Sequence, residues 1–201
     1  MVKTIFFFCF IFLFILTGAA ICEPPEFQNT ASEIINSLTQ KPAIRPHNFV
    51  RTRGFDPSPT CRAIVVKEKI DNQTVEKTIT VYPDQPEPHA NLKIEFDVNS
   101  YRIRPQAYVT LNELGVALTS ESLINKMFYI NGHTDSDGPP MYNLDLSVNR
   151  AQSVKDFLVG NFNIPAHRLK VLGYGEALPL LANTTALNKQ ANRRVEIKPV
   201  Q

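Results

Sequence analysis

The sixteen residues from Asp135 to Arg150 place a carboxylate just beyond the apolar run Met127 to Asn131 and a guanidinium on the helical segment that follows. A ligand carrying an ammonium and a carboxylate on one carbon suits such a pair. Its ammonium donates charge-assisted hydrogen bonds to Asp135, and its carboxylate accepts a planar, two-pronged fork from Arg150 that a lysine does not supply. That is recognition rather than bond making. The same two side chains also allow an internal salt bridge, which stabilises little at a surface. Spacing alone leaves both readings open.

Other chemistries fit less well. His133, Asp135 and Asp137 alternate as cation ligands do, but the further oxygens and distal glutamate of a calcium loop are missing. His133 then reads as a packing or hydrogen-bonding residue at a strand end. Gly173-Tyr-Gly-Glu-Ala-Leu-Pro179 lacks the Lys-Ser/Thr of a phosphate loop, and the chain has neither a Gly-x-Ser-x-Gly elbow nor a plausible Cys/His nucleophile pair. No catalytic residue, metal or cofactor is expected.

The elements that position these residues are legible from Leu92 onward. Leu92-Lys-Ile-Glu-Phe96-Asp-Val98 alternates as a half-buried strand. Pro105 opens a helix of about 105–118 with Ala107, Leu111, Leu114 and Leu118 on one face. Met127 to Asn131 is the next strand, and Asp137-Gly-Pro-Pro140 turns into a helix of about 142–159 bearing Ser147, Ala151, Val154 and Leu158. Arg168 to Leu172 forms a third strand that Gly173-Tyr-Gly175 turns, Ala182 to Asn188 a short helix, and Val195 to Pro199 a last strand. Strands alternating with helices predict an α/β, two-layer architecture, a mixed sheet with helices on one face.

The first part of the chain differs. Nine of the fifteen prolines fall between Glu23 and Asn91. Thr30-Ala-Ser-Glu33 has capping-box spacing, so residues 31–39 are expected to be helical. Cys61 to Ile70 and Val75 to Tyr82 read as a hairpin around Asp71-Asn72-Gln73. Arg51 to Phe55 and Asp56-Pro-Ser-Pro59 have turn composition, and Pro83 to Pro88 a stiff, extended one. Lys3, the apolar stretch Ile5 to Leu16 and Gly18-x-Ala20 form a secretion signal, with an uncleaved anchor or lipid on Cys22 as alternatives. With Cys9 removed, Cys22 and Cys61 are the candidates for a disulfide, a pairing that spacing leaves open. The expected organisation is a signal over 1–20, a small N-terminal module with linker over 21–91, and a main domain over 92–201. The net charge of +2 sits in the second half, twelve Lys/Arg against ten Asp/Glu in residues 92–201. It forms no basic stripe for nucleic acid.

Several blocks keep a family's order and spacing: Phe96-x-x-Asn99, Gly132-His-Thr-Asp135, Tyr142-Asn-x-x-Leu-Ser147-x-x-Arg150-Ala151, Gly173-Tyr-Gly-Glu176, Pro179, and Asn192-Arg-Arg-Val-Glu-Ile197. Together, over about residues 92–198, they resemble the OmpA-like C-terminal domain family, which includes peptidoglycan-associated lipoprotein and flagellar stator proteins. The resemblance implies a β-α-β-α-β-β fold and non-covalent binding of peptidoglycan through the diaminopimelate of the stem peptide. It assigns ligand contacts to Asp135, Arg150, Asn99, Asn143 and Arg193. Asn99 equally reads as a turn residue, and Asn143 as a helix cap or pocket brace. Arg193 and Arg194 straddle a strand start, so at most one of them faces the pocket. The resemblance implies a periplasmic protein of the cell envelope that ties the wall to the outer membrane or to an envelope partner. A transmembrane β-barrel does not fit in the remaining length, and the apolar N-terminus lacks the acidic proton site of ion-driven stators. The rival is an envelope hydrolase or its accessory, with His133 and Asp135 as its only general-base candidates.

Overall fold

The computed structural model describes residues 25–40, 62–70, 73–81 and 87–200. The secretion signal, Cys22, Cys61, Arg51 to Phe55, the hairpin tip and residues 82–86 lie outside them. Helix α1 (Ala31–Thr39) forms where the capping box predicts it: the Thr30 hydroxyl accepts from the Glu33 amide at 3.3 Å, and the Glu33 carboxylate accepts from the Asn29 and Thr30 amides. These bonds satisfy amides that the helix leaves without partners.

Strands β1 (Arg62–Ile70) and β2 (Gln73–Val81) pair antiparallel along their whole length. Then follow β3 (Ala90–Leu92), α2 (Tyr108–Thr119), β4 (Phe128–His133), α3 (Pro140–Phe162), β5 (Leu169–Gly175), α4 (Ala186–Asn192) and β6 (Val195–Pro199). The sheet runs β2-β1-β5-β4-β6-β3, with β4 and β5 parallel and the other neighbours antiparallel. The parallel pair requires a crossover, which α3 supplies. The α/β mixed sheet expected from the alternation is therefore present. The hairpin joins its edge through Lys67 to Lys69 against β5, and β3 straddles residue 91. Elements from both sides of that expected boundary share one sheet.

Side-chain alternation along the strands sorts two apolar layers. On the helical face, Phe128, Ile130, Val171, Val195 and Ile197 pack with Ile34 and Leu38 of α1, Leu111 and Leu114 of α2, and Val148, Val154 and Leu158 of α3. On the other face Ile64, Val66, Leu172 and Tyr174 form a smaller cluster with Tyr129 and Leu178.

Several boundaries depart from the sequence reading. The strand expected over 92–98 ends at Leu92, because residues 95–104 fold back on themselves: Asp97 N–H donates to Arg102 O and Arg104 N–H to Glu95 O, both at 3.0 Å, around Asn99 at φ +50°. Gly173 does not turn the chain, and β5 continues to Gly175. A Cβ on Gly173 would lie 2.5 Å from Ser147 Oγ and Val148 Cγ2, so the glycine serves close helix–sheet approach instead. The short helix begins at Ala186, where the Thr185 hydroxyl caps it, rather than at 182. Helix α3 runs two or three residues past both expected ends, from a first-turn proline to Asn163 in the left-handed region.

Candidate functional site: a charged cleft at the strand ends

The glycines of β4 and β5 set the position of the site. A Cβ on Gly132 would overlap the Ser147 carbonyl, and one on Gly175, at φ +53°, would press on Leu144 at 3.1–3.2 Å. Helix α3 therefore lies against the carboxyl ends of both strands. The Ser147 hydroxyl donates to Leu144 O at 2.7 Å and accepts from the Gly175 amide at 3.0 Å, fastening helix to strand. Asn143, Ser147 and Arg150 lie at helical spacing on the same side. Asp135 follows β4 by two residues, and Thr134 N–H donates to Gly175 O at 2.9 Å.

These elements border a cleft of about 420 Å³, lined among others by Phe96, Asn99, Asp135, Tyr142, Asn143, Arg150 and Arg193. All five residues that the sequence reading picked out line it. Asn143 braces from within: its amide nitrogen donates to Asp135 O at 3.3 Å and to Glu176 Oε2 at 2.7 Å. Asn99 is both turn and lining residue, and its carbonyl accepts from the Tyr142 hydroxyl at 3.3 Å. Arg193 turns toward the cleft, whereas Arg194 donates to Asn91 Oδ1 and Leu178 O on the other face, the alternation expected at a strand start.

Asp135 and Arg150 do not form the internal salt bridge that spacing allowed. Asp135 Oδ2 accepts from Arg193 Nη1, and its Oδ1 accepts from the Asp137 amide at 3.1 Å. Arg150 donates through Nε to Ser100 O at 3.0 Å and lies 5.1 Å from the centre of the Phe96 ring. Among the described residues no carboxylate forms an ion pair with it, although it is only 8% exposed. Burial lowers its proton affinity from the usual guanidinium value, and the nearby Asp135 charge works in the opposite direction.

Each of the four carboxylates lining the cleft already has a cation: Glu95 has Lys93 at 3.8 Å, Asp97 has Arg104 at 3.0 Å, Asp137 has Lys189 at 2.6 Å, and Asp135 has Arg193. Among the described residues Arg150 is the lining guanidinium without an ion pair, although the Asp135 charge acts on it from nearby. Lys93, Arg104 and Gln190 also line the cleft and were missed in the sequence. They come from the segment that folds back over 95–104, its flank at Lys93, and α4, segments that only the tertiary fold brings to one wall.

The residues of the metal and hydrolase readings are not brought together. His133 is 2% exposed, stacks on Tyr174 at 5.0 Å, and has Nε2 3.5 Å from Glu196 on the far side of the sheet. Burial and the Arg194 charge lower its pKa to about 4. Among the described residues no group of three or more His, Cys, Asp or Glu is placed to hold a metal ion.

Residues 95–193 match the family model described as "OmpA family". Outer membrane porin F of Pseudomonas aeruginosa is 33% identical over 105 residues, covering 52% of this chain and 29% of that protein. A putative lipoprotein of Escherichia coli K12, YfiB, is 33% identical over 104 residues, covering 52% of this chain and 64% of that one. The chain thus spans well under a third of the porin's length and less than two thirds of the lipoprotein's. The crystal structure of the periplasmic domain of Helicobacter pylori MotB shares the fold, with a TM-score of 0.51 at 20% identity over 67% of this chain and 87% of that one.

Proposed function

We propose that residues 95–193, a domain of the OmpA family, hold peptidoglycan without catalysis by gripping the diaminopimelate of the stem peptide. The observation that carries this reading is Arg150, a buried guanidinium that forms no ion pair with a carboxylate among the described residues, lining a cleft that also holds Asp135. A buried, unpaired charge is costly to a folded protein unless something else pairs with it. The side-by-side ammonium and carboxylate of diaminopimelate match the two groups. The carboxylate meets the free nitrogens of Arg150, whose Nε is already fixed by Ser100 and whose plane is held over Phe96. Asp135, braced through the Asn143 contact to its carbonyl, takes the ammonium. Asn99 and Tyr142 form the rim and Arg193 supplies a further cation. Low exposure of both charges excludes competing water, so each hydrogen bond gains strength.

In this reading the protein works in the periplasm and ties the wall to the outer membrane or to an envelope partner. The attachment to that second body belongs to the N-terminal part of the chain. Relatives named as an outer-membrane porin and a lipoprotein support the envelope setting.

Sedimentation with purified sacculi tests the claim. Wild-type protein is expected in the pellet, with Asp135→Ala and Arg150→Ala each reducing the bound fraction at least tenfold and Arg150→Lys reducing it nearly as far, since the planar fork is lost. Unchanged sedimentation of both alanine variants would show the cleft is not the wall site. Release of soluble fragments from dye-labelled sacculi would indicate hydrolysis instead.

A further inference from the structure

The cation that the cleft already places on Asp135 has a consequence for selectivity. The carboxylate that is to receive a ligand ammonium is occupied by the Arg193 guanidinium, whose side chain is 43% exposed while that of Asp135 is 9% exposed. Arg193 lies at the carboxyl end of α4, at the junction with β6, and lines the cleft. The buried partner is fixed by the Asp137 amide, and the exposed one has solvent to move into.

We propose that Arg193 is a resident counter-ion that the ligand must displace from Asp135, and that this makes it a specificity-determining residue of the cleft. The inference rests on the stem-peptide reading above. The pairing pattern states the requirement. An arriving ammonium takes Asp135 and releases Arg193, so two guanidiniums, Arg150 and Arg193, then lack carboxylates. Charge is restored only by a ligand with one free ammonium and two carboxylates within reach. One of them is bonded to the same carbon as the ammonium and meets Arg150, and the other meets the displaced Arg193. A peptide ending in diaminopimelate, joined through one amine, has that set. A lysine peptide has the ammonium without the adjacent carboxylate, so it must break the Asp135–Arg193 pair while leaving Arg150 unanswered. A stem whose free amine has been consumed in a cross-link has no ammonium to offer. The cleft therefore selects uncross-linked diaminopimelate stems, and Arg193 imposes the selection by competing with every simple amine.

The test is calorimetric titration of the full chain with two peptides, N-acetyl-L-alanyl-γ-D-glutamyl-meso-diaminopimelate and its L-lysine counterpart. Wild-type protein is expected to favour the diaminopimelate peptide at least tenfold. Arg193→Gln opens Asp135 to any ammonium, so the preference is expected to shrink at least fivefold, chiefly because the lysine peptide gains relative to the other. Arg193→Lys keeps a displaceable cation and is expected to keep most of the preference. A direct readout accompanies these: the Arg193 side-chain Nε–H resonance of the wild-type protein shifts when the diaminopimelate peptide is added. A preference unchanged in Arg193→Gln, with both peptides weakened alike, overturns the displacement idea and leaves Arg193 as a plain carboxylate contact. So does an unmoved resonance on a protein that binds. Wild-type protein that binds neither peptide overturns the stem-peptide reading itself.

Discussion

On the far face of the sheet, Arg194 is 5% exposed and donates to Asn91 Oδ1 and Leu178 O, with the Glu196 charge nearby. Glu196 in turn accepts from Asn131 at 2.9 Å and has Lys198 at 3.8 Å. In the cleft, Arg150 is about as hidden at 8%, yet among the described residues its one hydrogen-bond partner is the Ser100 carbonyl, with the Phe96 ring 5.1 Å away. Arg168 resembles Arg194, with the Lys126, Leu118 and Leu123 carbonyls around its guanidinium. The same residue type thus serves two ends. Where its donors are satisfied inside the fold it holds the structure together, and where they are left open beside a cavity the proposed reading gives it to a ligand. Burial alone does not distinguish the two.

The comparison breaks most visibly at Glu196. Its replacement by alanine leaves Arg194 buried without its counter-charge and is expected to cost about 4 kcal/mol in urea unfolding, with sacculus binding retained by the molecules that stay folded. A loss under 1 kcal/mol would mean that the far-face cluster is not structural.

Next in size is Gly132→Ala, whose new methyl group meets the Ser147 backbone carbonyl. Displacing α3 from β4 is expected to cost about 3 kcal/mol by the same unfolding measurement. It is also expected to weaken the proposed wall binding, because Arg150 rides on that helix and Asp135 on that strand end.

The far face is also expected to respond to acid. His133 has its pKa lowered to about 4 from the ordinary 6.5, first by burial and then by the Arg194 charge. The unfolded chain therefore binds the proton more readily than the native one. Stability present above pH 6.5 falls as pH drops from there toward about 4, by roughly 3 kcal/mol for this group. Urea midpoints at pH 7 and pH 4.5 check the sign. His133→Gln is expected to have a smaller difference between the two pH values than the wild type.

The smallest change in stability sharpens the contrast most. Arg150→Met keeps the apolar stem and removes a buried charge that has no carboxylate, at the cost of its contact with Phe96, worth about 1 kcal/mol. Net stability is expected to stay within about 1 kcal/mol of wild type while sacculus sedimentation is lost. Loss of several kcal/mol would place Arg150 with Arg194 and Arg168 as a structural residue.

Much of this arrangement was readable in the chain, and for local reasons. The capping box at Thr30 and Glu33 specifies a helix start through bonds within four residues. The apolar repeat through Leu111, Leu114 and Leu118 and the β-branched runs of the hairpin likewise follow local periodicity. The five site residues were picked out by block spacing, and all line one cleft. Gly173 was misread as a turn, because a glycine that admits a neighbouring helix looks the same in sequence as one that bends the chain. The segment after Leu92 alternates like a strand, yet its backbone pairs within itself across Asn99.

By itself the sequence determined the alternation of strands and helices, the carboxylate and guanidinium on consecutive elements, and the family blocks around them, since each depends on residue type and short spacing. Tertiary structure alone decided which cation meets which carboxylate. Arg193 comes from a distant helix end to take Asp135, and the backbone of residues 95–104 folds under Arg150 to offer it Ser100 O and Phe96 rather than an acid. An ion pair depends on distances of a few ångströms between segments far apart in the chain, and no spacing rule carries that information. The pair first suggested by the sequence is thus two separate charges, one paired with Arg193 and one without an ion pair among the described residues.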